Sequence, residues 1–146
     1  MRALLTTWRP MQPASDGSGV VIRNAVPTDL NYIRRTWLTG LRDAPNGLPD
    51  QFWWPAHRGY VESRLGDAAF SVVIAAAADD PHEILGYAVA SKDVLEWVYV
   101  RKGLRSRGLA GELLRAVGVR PGIDSRWHPP RNLRLSYRPR ELRRSL

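Results

Sequence analysis

The chain has 146 residues, 44% of them hydrophobic and 25% charged, which suits one globular domain with a buried core. It has no cysteine, which excludes disulfides, thiolate catalysis and cysteine-based zinc sites, and its scattered histidines (57, 82 and 128) show no metal spacing. A net charge of +8 favours anionic partners, no apolar run reaches the roughly 18 residues of a membrane span, and Met1–Pro10 is too polar for a signal peptide, so the expected address is the cytoplasm.

Residues 1–18 mix Pro10, Pro13, Ser15 and Gly17 without periodicity and are expected to form a flexible arm. Residues 19–146 then form a single domain. Val20-Val-Ile-Arg-Asn-Ala is β-branched and predicts a first strand. Pro27-Thr-Asp-Leu starts a helix capped by Thr28 or Asp29 and running to about Leu41, with Leu30, Ile33, Trp37 and Leu41 on one face. Pro45, Asn46, Gly47 and Pro49 mark a loop. Phe52, Trp53 and Trp54 make an aromatic knot, and Pro55 opens a second helix that ends at about Leu65, before Gly66. Phe70–Ala77 and Ile84–Ser91 read as strands of a hairpin around Asp79-Asp-Pro-His. Val94–Val100 is the next strand, Gly108–Val117 a helix ended by Gly118. Trp127 and Leu133–Tyr137 suggest one or two short strands within a basic, atypical end at 119–146. The order predicts an α+β fold: a mixed, mostly antiparallel central sheet with helices on both faces.

The stretch from Leu95 to Leu114 carries the chemistry. It is a strand, a basic glycine-containing loop, and a helix whose first turn holds small residues. A helix start offers unpaired N–H groups and positive dipole charge, so a pyrophosphate fits there if no side chain blocks it. Gly108 and Ala110 keep the approach open, and Arg105 and Arg107 add charge-assisted hydrogen bonds.

Arg105-Ser106-Arg107-Gly108-Leu109-Ala110 resembles motif A of the GNAT acyltransferase superfamily, whose signature is Arg/Gln-x-x-Gly-x-Gly/Ala. The strand ending at Val100, Leu113-Leu114 and the upstream element order fit the same pattern over roughly residues 19–118. The chain also resembles short GNAT-like proteins of phage and prophage genomes. The resemblance implies acetyl-CoA, or another acyl-CoA, as cofactor and transfer of its acyl group to an amine acceptor by direct attack. It places the pantetheine arm along the backbone of Trp97, Val98 and Val100, and the pyrophosphate on Arg105, Ser106, Arg107, Gly108, Leu109 and Ala110. Glu96 is the implied base and Tyr137 the implied acid. The family has a proline where this chain has Lys102, and after its motif-A helix it runs on longer than 119–146 allows, so the C-terminal strands are expected to be shortened.

Plain structural alternatives stand beside these assignments. Strand alternation puts Leu95, Trp97 and Tyr99 on one face and Glu96, Val98 and Val100 on the other, and Glu96 there serves as a base, lies in solvent or pairs with an arginine. Tyr137 suits a structural role. Phe52, Trp53 and Trp54 either line an acceptor pocket or pack the core; the histidines suit surface or loop positions, and His57 is the one nearest a possible acceptor side. The arginines beyond Arg120 make nucleic-acid or protein contact the rival function, that of a binding module without turnover. An uncovered sheet edge would suit a homodimer.

Overall fold

The computed structural model describes residues 12–13, 19–42, 50–105, 108–120, 123–126 and 135–138. Strands β1 (Gln12–Pro13) and β2 (Val20–Asn24) lead into helices α1 (Leu30–Arg42) and α2 (Asp50–Leu65). Strands β3 (Ser71–Ala77), β4 (Asp80–Ala90) and β5 (Val94–Val100) follow, then helix α3 (Leu109–Val117) and the short strands β6 (Asp124–Ser125) and β7 (Ser136–Tyr137). The strands lie side by side in chain order in one sheet. Pairing is antiparallel from β1 to β5 and parallel from β5 to β7. This is the mixed α+β plan that the element order predicts. Among the described residues, no helix is long and apolar enough to cross a membrane.

Both faces of the sheet are covered. Helices α1 and α2 bring Ile33, Trp37, Leu41, Trp53, Val61 and Leu65 onto Val72, Ile74, Ala76, Tyr87 and Val89. Helix α3 sets Leu109, Leu113 and Leu114 on the other face, against Val73, Ala75, Ala88, Val98 and Val100. Strand β3 is buried from Val72 to Ala76 because it has helices on each side, which explains its unbroken apolar run.

Helix α1 is preceded by a 3-10 turn at Pro27–Asp29. Asp29 accepts the Val26 N–H at 2.8 Å and takes both arms of the Arg23 guanidinium at 2.7 and 3.0 Å. Arg23 also donates to the carbonyl of Pro81, so one buried ion pair ties β2, the start of α1 and the start of β4 together.

Helix α2 begins at Asp50, not at Pro55 as the proline suggested. Pro55 lies inside the helix, where its missing N–H forfeits one intrahelical bond. What carries the helix through it is the buried stripe Trp53, Ala56, His57, Tyr60, Val61 and Leu65, spaced three and four apart. The aromatic knot is therefore helical, with Trp53 in the core and Trp54 exposed. Trp127 lies outside the described residues.

Candidate functional site

Gly108 caps α3 at φ 78°, a left-handed conformation that glycine adopts without strain. Gly108 provides no side-chain cap to the first turn, and among the described residues the space where its Cβ would stand is open. The helix start is thus an uncapped donor cluster facing a gap. Arg105 folds toward it from the preceding loop and donates its Nε–H to the carbonyl of Val100 at 2.9 Å. Ser106 and Arg107, expected in the same cradle, lie outside the described residues.

The second wall is the edge of β5. Strand β6 pairs only with Val94 and Leu95, so among the described residues the rest of that edge is uncovered. Arg101 donates its N–H to Leu85, so by strand alternation Tyr99 and Trp97 turn their backbone groups to β4. Val98 and Val100 then turn theirs to the open side, where Arg105 already occupies the Val100 carbonyl.

These two walls bound one cleft of about 710 Å³. Trp97, Val98, Val100, Arg105, Gly108, Leu109 and Ala110, all named from the sequence, line it together. Tyr99 and Leu104 join them, and α1 closes the far side with Arg35, Thr36, Thr39 and Gly40. The α1 residues lie off the apolar face of Leu30, Ile33, Trp37 and Leu41, and only tertiary packing, which no local pattern signals, brings them to the cleft. A Cβ at Gly40 would come 2.5 Å from the Trp97 ring, so glycine lets α1 press onto the indole, which stacks on Trp37 at 6.2 Å.

Glu96 is not among the residues lining this cleft, and it does not share a face with Val98 and Val100. A bulge intervenes: Val89 faces Trp97 but Ala90 faces Leu95, which leaves Glu96 as the extra residue. Leu95 consequently packs with Val98 and Val100 on the α3 side, while Glu96 turns to α2. Its carboxylate is 1% exposed, accepts the Tyr60 hydroxyl at 2.5 Å and accepts Arg64 Nε–H at 3.0 Å. Pairing with an arginine, one of the alternatives open from sequence, is what the structure contains. Arg64 also lies over the rings of Tyr60 and Phe70, at 4.3 and 5.4 Å. Burial works to lower its pKa, but the Tyr60 phenol and the Glu96 carboxylate outweigh burial and raise it.

Tyrosine hydroxyls gather behind the α1 wall. Thr36 and Tyr87 share a 2.8 Å hydrogen bond, and Tyr87 also donates to the Ile33 carbonyl. Burial pushes the Tyr87 phenol up strongly, and burial with the Tyr99 hydroxyl bond pushes Tyr32 up to about 12. Both stay protonated near neutral pH, so they serve as donors and not as bases. Tyr137 stands on β7, 41% exposed, and does not line the cleft. His57 is buried, contrary to a surface placement, because it lies on the inner stripe of α2. Its ring stacks on Trp53 at 4.1 Å, and its Nδ1 lies 2.9 Å from the Trp53 carbonyl. Arg42 covers Trp53 and Trp54 at 5.1 and 5.5 Å. In the basic end, Arg138 pairs with Asp124 and Arg126 donates to the Arg138 carbonyl, so these arginines help hold β6 to β7.

No family model matches the sequence, and no curated protein does. Solved structures do resemble it. A Pyrococcus furiosus protein described as an acetyl transferase shares 16% identity at a TM-score of 0.52, over 67% of this chain and 71% of that one. YjaB of Escherichia coli, in its apo form, shares 14% identity at 0.50, over 67% of this chain and 63% of that one. An acetyltransferase of the GNAT family from Desulfovibrio desulfuricans shares 23% identity at 0.43; 67% of this chain covers 62% of that one, under two thirds of its length. The architecture held in common is the GNAT acyltransferase fold.

Proposed function

We propose that this GNAT-fold chain is an acyl-CoA-dependent N-acyltransferase, with acetyl-CoA as donor and an amine as acceptor. The observation that carries the reading is the meeting of two backbone surfaces in one cleft: the start of α3, which has no side-chain cap at Gly108, and the stretch of the β5 edge that β6 leaves unpaired. A coenzyme with a pyrophosphate and an extended amide-containing arm matches both at once. Phosphate oxygens suit the N–H groups of Leu109 and Ala110 and the Arg105 guanidinium. An extended amide chain suits Val98 and Val100 as an added strand would. Bound there, acyl-CoA supplies a thioester carbonyl open to attack by a neutral amine.

The chain's own groups then have distinct tasks. Gly108 keeps the cradle clear, and Trp97, wedged between Gly40 and Trp37, fixes the floor of the cleft beside the β5 edge. Glu96 is the proposed proton acceptor, acting through an intervening water because it is not on the cleft lining. Arg64 and Tyr60 both bond to the Glu96 carboxylate and fix its orientation.

Isothermal titration with acetyl-CoA, and separately with CoA, tests the reading. Saturable micromolar binding is expected. No binding at millimolar ligand would overturn it.

A further inference from the structure

Among the described residues, the walls of the cleft carry charge of one sign. The ionisable lining side chains among those residues, tyrosine aside, are Arg35 and Arg105, with no carboxylate. Arg105, bonded to the Val100 carbonyl at the end of β5, is the guanidinium already proposed for the coenzyme phosphate. Arg35 stands apart, on α1, a helix with three arginines and no acidic residue. The other two have partners: Arg34 pairs with Glu62, and Arg42 covers Trp53 and Trp54. Arg35 lies over the Tyr32 ring at 5.7 Å and has no ion pair among the described residues. Glu96, the carboxylate on β5, is buried and already bonded to Tyr60 and Arg64.

We infer that the amine taken by this cleft also bears an anionic group, a carboxylate or a phosphate, and that Arg35 receives it. This deepens the transferase reading and rests on it. An acceptor with a second ammonium group would find no counter-charge among the described residues of the cleft wall and a guanidinium in its place. An acceptor with an anion gains charge-assisted hydrogen bonds, roughly twice as strong as neutral ones, from Arg35.

The test uses matched pairs that differ in the anion: L-leucine against L-leucinamide, and O-phosphoethanolamine against ethanolamine. Each is titrated calorimetrically into the protein saturated with CoA, alongside spermidine as a polycation. The anionic member of a pair is expected to bind about tenfold more tightly, and spermidine not to saturate. R35Q, checked for folding by circular dichroism, is expected to erase the preference. The inference is overturned if neutral members bind as well as anionic ones, if neither anionic amine binds at millimolar concentration, or if the preference survives R35Q. It is also overturned if R35Q weakens CoA as much as it weakens the amine, since the guanidinium then belongs to the coenzyme. Failure of CoA itself to bind sinks the transferase reading instead, and the same amines titrated without CoA still report which charge the cleft selects.

Discussion

Asp29 is 4% exposed, and its two oxygens receive Arg23 and the Val26 N–H. Truncating it would leave a guanidinium of 5% exposure with no counter-charge. Breaking such a pair from one side costs about 3–5 kcal/mol, far above the median of a surface ion pair. D29A is therefore expected to lower the unfolding free energy by about that much, read from the urea midpoint, while E83A, which breaks the exposed Arg101–Glu83 pair, is expected to change it by less than about 1 kcal/mol. Equal effects would mean that the buried pair is not a structural tie. Glu96 poses a different question, since its carboxylate serves the fold and the proposed chemistry at once. E96Q keeps the shape and an acceptor for Tyr60 but removes the charge facing Arg64, which is partly exposed and can turn to water. Its expected signature is CoA affinity within about threefold of the parent and kcat/KM lower by roughly a hundredfold, in the usual range for a lost general base. A variant that loses CoA affinity in step with activity would make Glu96 a positioning residue, and one that keeps full kcat/KM would exclude the base role.

Elements differ in how much of them the residues alone disclose. The run from β5 through the basic loop to α3 was legible because its signals are local: a glycine at each end of the helix, small residues in its first turn, and a β-branched strand before it. All seven named cleft residues that the structure describes line one space for that reason. The side chain of Glu96 was not legible, because strand alternation assumes a regular register and the bulge at Ala90–Leu95 breaks it. The start of α2 was hidden by Pro55, whose local cost is outweighed by tertiary burial of Trp53 and Ala56. Gly86 shows the same dependence on context. It interrupts an apolar strand without obvious cause, yet a Cβ there would lie 2.6 Å from the Tyr99 carbonyl and 3.2 Å from Leu113. The contact joins β4, β5 and α3 at the root of the cleft, and the carbonyl is backbone that cannot swing aside. G86A is expected to destabilise by about 1–3 kcal/mol, the usual cost of overpacking, and to weaken CoA binding because β5 and α3 must separate. Unchanged stability would show that the strands have slack at this point.

At the scale of the whole molecule, the cradle can be tested through thermal stability. A ligand that binds the folded chain alone stabilises it by RT ln(1 + [L]/Kd), about 2.7 kcal/mol at a hundred times Kd. For a domain of this size each kcal/mol moves Tm by roughly 2–4 °C, so saturating CoA should raise Tm by about 5–11 °C. Position 108 separates conformation from access. Gly108 has a φ of 78°, so any side chain there incurs about 1–2 kcal/mol of left-handed strain, but a Cβ meets nothing within 4 Å. G108A and G108W should therefore both fold and both melt a few degrees below the parent. They should part company on adding CoA. The alanine methyl leaves most of the gap open, so G108A should retain most of the rise in Tm. The indole of G108W fills the space in front of the α3 N–H groups, and its rise should fall below about 1 °C. A G108W protein that melts cooperatively and still gains the full rise would place the coenzyme away from α3, and a G108A protein that loses it would make left-handed geometry, not open space, the requirement of the cradle.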